Sequence, residues 1–168
     1  MKKLSTDIQT ATMRNVKSCQ GRDGIAWSGT LYLNGKRAAL VRDGGCGGMI
    51  NIDWTFSGHG FHGDELALAF EAYAKAQPPC EADPEYDIPC SPCDWESLLS
   101  RLADDYEEAK QIKRLCRTNI VCRTPEGRLL TIRGAGMDKT ILSFKGQATD
   151  TNRAIILKRH PGFTILNS

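Results

Sequence analysis

Two short pairs of metal-binding side chains stand out in this sequence: His59 with His62, and Cys90 with Cys93. Imidazole nitrogen and thiolate sulfur are the ligands that structural Zn²⁺ prefers, and two such pairs complete a tetrahedral site. The interval between the pairs matches no common zinc-finger spacing. Two interpretations therefore stay open: one structural zinc ion held by these four residues, or loop thiols that bind no metal.

A glycine cluster at residues 44–48 surrounds Cys46 and is the second place where chemistry could occur. It lacks the Gly-Lys-Ser/Thr ending of a phosphate-binding loop, and the dinucleotide fingerprint is also absent from the chain. Cys46 would need a base to act as a nucleophile, and no base partner is identified by spacing. We therefore expect turns and tight packing at these glycines, and binding rather than catalysis from the protein.

Arginine side chains recur through the last third of the chain and form the candidate nucleic-acid surface. Arg123 and Arg133 lie on strands expected to oppose each other, so several cations could share one sheet face. Such a face neutralises phosphates and binds in a salt-dependent manner. Few aromatic residues are interleaved, so base stacking is not expected. The candidate residues are Arg117, Arg123, Arg128 and Arg133.

The charge of the chain is strongly partitioned, although its net value is only +2. Residues 1–61 carry eight basic and four acidic side chains, residues 62–110 carry three and thirteen, and residues 111–168 carry eleven and three. The acidic middle either neutralises the basic end or offers a surface to a basic partner, since charge complementarity speeds association. The candidate partner-binding residues are Asp104, Asp105, Glu107 and Glu108.

The elements that must position these residues follow from local patterns. Alternating apolar residues over 25–33, followed by Asn34-Gly35 and a return strand over 36–41, predict a β-hairpin with a type I′ turn. Apolar residues at helical spacing predict one helix over 64–77 and a longer one that begins after Asp94 and continues to about Cys116.

The end of the chain has further strand patterns, over 119–124, 128–133, 140–145 and 163–166, and a helix from Thr149 to about Arg159. We therefore predict an α+β fold: an N-terminal β-hairpin region, central helices, and a C-terminal β-hairpin with a short helix. The expected organisation is a β-rich region plus helix at 1–77, a Pro-rich acidic connector at 78–93, and a helix plus β-rich region at 94–168. These parts can also form one compact domain.

Composition excludes several protein classes. With 40% apolar and 25% charged residues, the chain is an ordinary globular protein rather than a collagen, a coiled coil or a disordered tail. No apolar run reaches the roughly 20 residues of a membrane helix, and no secretory signal follows the first lysines. The seven cysteines are thus expected to lie in a reducing cytosol, as thiols or metal ligands.

Four segments of the chain carry a resemblance to known proteins: Asn-Val-Lys at 15–17, Gly-Thr-Leu-Tyr-Leu-Asn-Gly-Lys at 29–36, the glycine cluster at 44–48, and Lys-Arg-Leu-Cys-Arg-Thr at 113–118. With their surroundings, about a third of the chain, they resemble short accessory proteins encoded by tailed bacteriophages and prophages. The resemblance implies a setting in the bacterial host cytoplasm and brings no catalytic residue. Accessory proteins of this kind often block host factors, including defence systems such as CRISPR effectors.

These observations lead to two functional expectations. The first is a binding protein that inhibits or modulates a host protein or ribonucleoprotein complex, as anti-CRISPR proteins do. The alternative is a small nucleic-acid-binding protein, stabilised by zinc if His59, His62, Cys90 and Cys93 form a site. The host target, the oligomeric state, any small ligand of the glycine loops and any catalytic activity are not determined by the sequence.

Overall fold

The computed structural model describes residues 4–21, 23–54, 61–79, 90–125, 141–145 and 149–167, and of residues 61–64 and 141–145 it describes the backbone. The chain divides into two compact units, Met1–Glu107 and Glu108–Ser168. We call them the first unit and the second unit. The predicted connector at 78–93 stays a prediction, because residues 80–89 lie outside the described residues.

The first unit contains a four-stranded antiparallel sheet in the order β1-β2-β3-β4. The strands are β1 (Ala11–Gln20), β2 (Ile25–Leu33), β3 (Lys36–Asp43) and β4 (Asn51–Trp54). Helix α1 (Phe61–Lys75) follows, and helix α2 (Trp95–Leu115) begins in the first unit and ends in the second. The predicted α+β class is confirmed.

The β2–β3 hairpin matches the sequence-based prediction. Asn34 and Gly35 have φ angles of 48° and 74°, as a type I′ turn requires. The side chain of Asn34 has a further role: its Oδ1 accepts from the backbone N of Gln9 at 2.8 Å, and its Nδ2 donates to the carbonyl of Asp7 at 2.7 Å. The turn residue thus also holds the N-terminal segment.

Strand β1 was not predicted. The inward-facing Met13 and Val16 are buried but are three residues apart, because the register shifts between Arg14 and Lys17. Asn15, within this bulge, has a φ of 55°. A β-bulge adds one residue to a strand, so the period-two pattern that identifies strands is interrupted here.

The core of the first unit forms between the sheet and the helices. Leu66, Phe70 and Ala74 of α1 recur every four residues and are buried. Leu98, Leu99 and Ala103 of α2 are buried in the same cluster, together with inward-facing residues of the strands, among them Leu31, Leu33 and Val41. The ring of Trp54 meets that of Phe70 edge to face, with centroids 6.2 Å apart.

Helix α2 begins as its sequence predicts. Oδ1 of Asp94 accepts from the backbone N of Ser97 at 2.7 Å, and the Asp94 carbonyl accepts from Leu98 N at 3.0 Å. A side-chain cap of this kind satisfies an amide that the first helical turn leaves unpaired. In addition, Oε1 of Glu96 accepts from Ile50 N at 3.0 Å, which ties the start of α2 to the chain just before β4.

The second unit contains a three-stranded sheet in the order β6-β5-β7. Its elements are β5 (Asn119–Arg123), β6 (Ile141–Lys145), helix α3 (Asp150–Arg159) and β7 (Thr164–Ile165). The sequence predicts a helix that begins at Thr149, and the Thr149 side chain caps α3 by accepting from Asn152 N. Both neighbours of β5 are antiparallel to it. The strand predicted at 128–133 lies outside the described residues.

A small core supports the second unit. Ile120 and Cys122 of β5 and Ile156 of α3 are buried together, with Phe163 and Ile165 packed against them.

Within the described part of the chain, no helix has the length and apolar character that crossing a bilayer requires.

Candidate binding surfaces

The carboxylates predicted to bind a partner lie near the middle of α2. Asp104 and Asp105 are exposed, whereas Leu98, Leu99 and Ala103 of the same helix are buried. A helix residue advances by about 100° around the axis, so Asp104 lies roughly opposite Leu99. The buried face therefore holds the helix while the carboxylates point away from the core.

Asp104 is electrostatically distinct from its neighbours. Its carboxylate is partly shielded from water, although the residue as a whole is exposed, and this desolvation raises its pKa above the ordinary value of 3.8. The adjacent charge of Asp105 raises the pKa further. Both effects disfavour the ionised form, and a cation placed beside the carboxylate would oppose them. The pair is thus suited to a basic partner group.

Glu107 and Glu108 differ from this aspartate pair. Both are half-buried, and Glu108 forms an ion pair with Arg123 of β5 through Oε1 and Nη2. Glu107 belongs to the first unit and Glu108 to the second. Of the four predicted partner-binding carboxylates, Asp104 and Asp105 therefore belong to the more exposed residues, whereas Glu108 is engaged within the second unit.

The predicted nucleic-acid residues have separate environments. Arg117, just beyond the end of α2, is exposed. Arg123 is also exposed but is engaged by Glu108. Arg128 and Arg133 lie outside the described residues. Whether the arginines of the second unit share one sheet face thus stays a prediction.

A feature that we did not recognise in the sequence is a line of cations over the last turns of α2 and the turn that follows it. Lys110, Lys113, Arg114 and Arg117 are all exposed and are spaced i, i+3, i+4 and i+7, which places them on one side of a helix. We call these four residues the basic stripe. This spacing is visible in the sequence, where cations in the last turn of a helix are also explained by favourable interaction with the helix dipole.

The proposed zinc ligands are only partly described. Cys90 is exposed, whereas Cys93 is 1% exposed and belongs to the apolar core of the first unit. His59 and the side chain of His62 lie outside the described residues. Among the side chains that the structure describes, no group of three or more His, Cys, Asp or Glu is arranged to hold a metal ion. The four-residue zinc site stays a prediction.

The glycine cluster near Cys46 has a packing role. Gly45 has a φ of 64°, and a Cβ at this residue would lie 2.6 Å from the backbone N of Ala26. The chain after β3 thus approaches the start of β2 more closely than any side chain would allow. Cys46 itself is exposed. Residues 58–60 of the second glycine cluster lie outside the described residues.

A polar network in the second unit was not predicted. Asn167 is buried, and its Oδ1 accepts from Val121 N at 2.6 Å. Its Nδ2 donates to the carbonyls of Cys116 and Asn119, at 3.2 and 2.8 Å. No local pattern identifies such a residue, because its partners are 46 to 51 positions away in the chain.

Cys116 and Cys122 lie beside this network. Desolvation raises the pKa of both thiols, and interaction with Cys116 raises that of Cys122 further. A raised pKa keeps a thiol protonated and so less nucleophilic. The surroundings of both cysteines therefore favour the protonated thiol, and Cys122 packs in the core of the second unit.

Comparison with known proteins adds no relative to this description. No protein-family model, no curated protein and no solved structure matches the chain.

Proposed function

We propose that the protein is a non-catalytic binding protein that inhibits or modulates a macromolecule of a bacterial host. The observation that carries this proposal is the aspartate pair, Asp104 and Asp105, exposed on α2. The opposite face of the helix is fixed in the core by Leu98, Leu99 and Ala103. A charge pair on a rigid element loses little conformational freedom when a partner binds.

The chemistry of the pair favours a basic partner. The raised pKa of Asp104 reflects unfavourable interactions that a lysine or arginine of the partner would relieve. Complementary charge also increases the rate of association, in a salt-dependent manner. A groove that normally holds nucleic acid has this basic character, so a host nucleoprotein effector is the class of target that we propose. The resemblance to phage accessory proteins supports a host-cytoplasmic setting and an anti-defence role of the anti-CRISPR kind.

The test compares two variants of equal charge change. Asp104→Lys with Asp105→Lys reverses the aspartate pair, and Asp23→Lys with Asp53→Lys reverses two exposed carboxylates elsewhere in the first unit. Each full-length protein is used as bait in lysate of the bacterial host, with and without nuclease. We expect the first variant to lose a nuclease-resistant host partner that the wild type and the second variant retain. Equal capture by all three proteins would contradict the proposal.

A nucleic-acid-binding function is the second candidate, favoured by the exposed Arg117 and by the net positive charge of the second unit. Residues 108–168 contain twelve basic and four acidic side chains. If this function is correct, the material that the wild-type bait captures from the lysate should be lost after nuclease treatment.

The zinc proposal is tested on the same protein. Elemental analysis after purification without added metal should find stoichiometric zinc if His59, His62, Cys90 and Cys93 bind it.

A further inference from the structure

The basic stripe differs from ordinary helix-terminal cations in what surrounds it. Cations near a helix C-terminus commonly interact with the unpaired carbonyls of the last turn. At the end of α2, other donors already occupy these positions. The carbonyls of Ile112, Arg114 and Leu115 accept from the backbone N of the three residues that follow the helix, at 2.8, 3.3 and 3.2 Å. Asn119 Nδ2 also donates to the Leu115 carbonyl, at 3.2 Å. The cations of the stripe are therefore not required as caps.

Three of the four side chains are also uncommitted within the described structure. Lys113, Arg114 and Arg117 are exposed, and their side chains make no hydrogen bond or ion pair with any described residue. The backbone N of Arg117 donates to the Arg114 carbonyl at 3.3 Å, so the chain continues its turn past the end of α2. The three cations thus stay on one side over about 6 Å of helix axis, at 1.5 Å per residue.

The described part of the second unit contains few acidic side chains that could oppose the stripe. Its described acidic residues are Glu108, which pairs with Arg123, and Asp150 at the start of α3. Three uncommitted cations on one side of a helix, in a unit with excess positive charge, form a surface that attracts polyanions.

We propose that the basic stripe binds the phosphate backbone of nucleic acid without sequence specificity. Lys and Arg contacts to phosphates position a protein on nucleic acid but read no bases, and no aromatic residue lies between Lys110 and Arg117 to stack on bases. A membrane surface is the less suitable polyanion. Helices that lie on membranes expose large apolar side chains beside their cations, and α2 exposes none.

This inference deepens the nucleic-acid candidate and does not depend on the aspartate pair. It names Lys113, Arg114 and Arg117 as phosphate contacts, with Lys110 at the edge of the stripe. Each phosphate neutralised contributes about −0.9 to the slope of log K against log salt for duplex DNA, and about −0.7 for single strands. Three contacts therefore contribute a slope of about −2 to −3.

The experiment uses the full-length chain and two triple variants of equal charge change. One carries Lys113→Gln, Arg114→Gln and Arg117→Gln. The control carries Lys17→Gln, Lys36→Gln and Arg37→Gln, three exposed cations of the first unit. Fluorescence anisotropy with labelled duplex DNA, single-stranded DNA and single-stranded RNA of mixed sequence measures affinity over a salt series. Circular dichroism shows whether each variant is folded.

We expect the stripe variant to lose about two to three units of salt slope, and to bind at least tenfold more weakly at low salt, while the control stays close to wild type. Equal loss in both variants would show a general charge effect and overturn the proposal. Binding by a folded stripe variant with unchanged slope would overturn it too, while leaving nucleic-acid binding to other arginines. Stripe-dependent binding to anionic but not neutral vesicles, without binding to nucleic acid, would assign the stripe to membranes and also overturn it.

Discussion

The two ends of helix α2 are held by different physical means. The first half, in the first unit, buries Leu98, Leu99 and Ala103 in an apolar core. The second half has Ile112 and Leu115 only half-buried. The carbonyl of Leu115 and that of Cys116, just beyond the helix, accept from the side-chain amides of Asn119 and Asn167. One continuous helix thus depends on burial of apolar surface at its start and on hydrogen bonding to buried polar groups at its end.

The two halves of α2 also differ in the sign of the charge that they expose. The apolar first half carries the aspartate pair, and the polar second half carries the basic stripe. In each half the side chains used for stability lie apart from the exposed charges. We therefore expect that changes to charge alter binding while changes to the supporting residues alter stability, and the predictions below test this separation.

The largest effect is expected from Leu99→Ala. Leu99 is fully buried, and the loss of a buried leucine side chain costs about 2–5 kcal/mol through lost apolar contact and a residual cavity. Urea unfolding followed by tryptophan fluorescence measures this, since Trp27, Trp54 and Trp95 all lie in the first unit. Leu102→Ala, at a half-buried residue of the same helix, is the control and should cost less. Equal losses would contradict the described orientation of α2.

Asn167→Ala should have the next largest effect, in the second unit. It leaves the Val121 amide and the carbonyls of Cys116 and Asn119 without their partner, and each unsatisfied buried group costs about 1–3 kcal/mol. Hydrogen exchange at the Val121 amide, measured by NMR, should accelerate strongly. Asn167→Asp keeps the acceptor but loses the two donated bonds, so a fully stable Asp variant would show that those bonds contribute little.

Asp94→Ala should destabilise the start of α2 by about 1 kcal/mol through loss of the N-cap. Hydrogen bonds from the Ser97 backbone and then its side chain lower the pKa of Asp94 below the ordinary value of 3.8. A lowered folded-state pKa means that ionised Asp94 stabilises the fold above that ordinary value, and that this contribution is lost as pH falls through the lowered pKa. The difference between wild type and Asp94→Ala should therefore shrink in strong acid. A difference independent of pH would exclude a role for the charge.

The ion pair between Glu108 and Arg123 should contribute less. Both side chains are substantially exposed, at 39% and 45%, and exposed pairs are worth about 0–1 kcal/mol. A double-mutant cycle with Glu108→Gln and Arg123→Gln measures the coupling. Coupling well above this range would show that Glu108 has a structural role in the second unit.

Asp104→Asn should produce the smallest change, a slight stabilisation at neutral pH within about 0.5 kcal/mol. Desolvation and Asp105 raise the pKa of Asp104, so the ionised carboxylate opposes folding at neutral pH. Protonation relieves this as pH falls through the raised pKa. The advantage of the Asn variant should therefore disappear in acid, and Asp105→Asn is the matched comparison. A destabilised Asn variant would show that Asp104 makes a favourable contact as an anion.

Local patterns predicted a substantial part of the fold. The turn at Asn34-Gly35, the cap at Asp94 and the apolar face of α2 are determined by residues within a few positions of one another. Their geometry needs only backbone preferences and helical spacing. The same applies to Thr149 at the start of α3. The α+β class followed from these elements.

The candidate surfaces were predicted less completely. The sequence identified α2 as the carrier of the carboxylates but could not show that Arg123 engages Glu108 while Asp104 stays exposed. Glu108 differs from Asp104 because strand β5, which carries Arg123, lies within reach of Glu108. The basic stripe was visible in its spacing, yet its significance depends on backbone amides and Asn119 occupying the carbonyls that cations would otherwise approach.

By itself, then, the sequence of this protein determined where helices and turns begin and end, because those choices depend on neighbouring residues. The bulge in β1, the pairing of β5 with β6 and β7, and the burial of Asn167 were decided by the tertiary structure. Each of these joins segments whose contact depends on the shape and hydrogen-bonding needs of both partners, and neither segment carries that information alone.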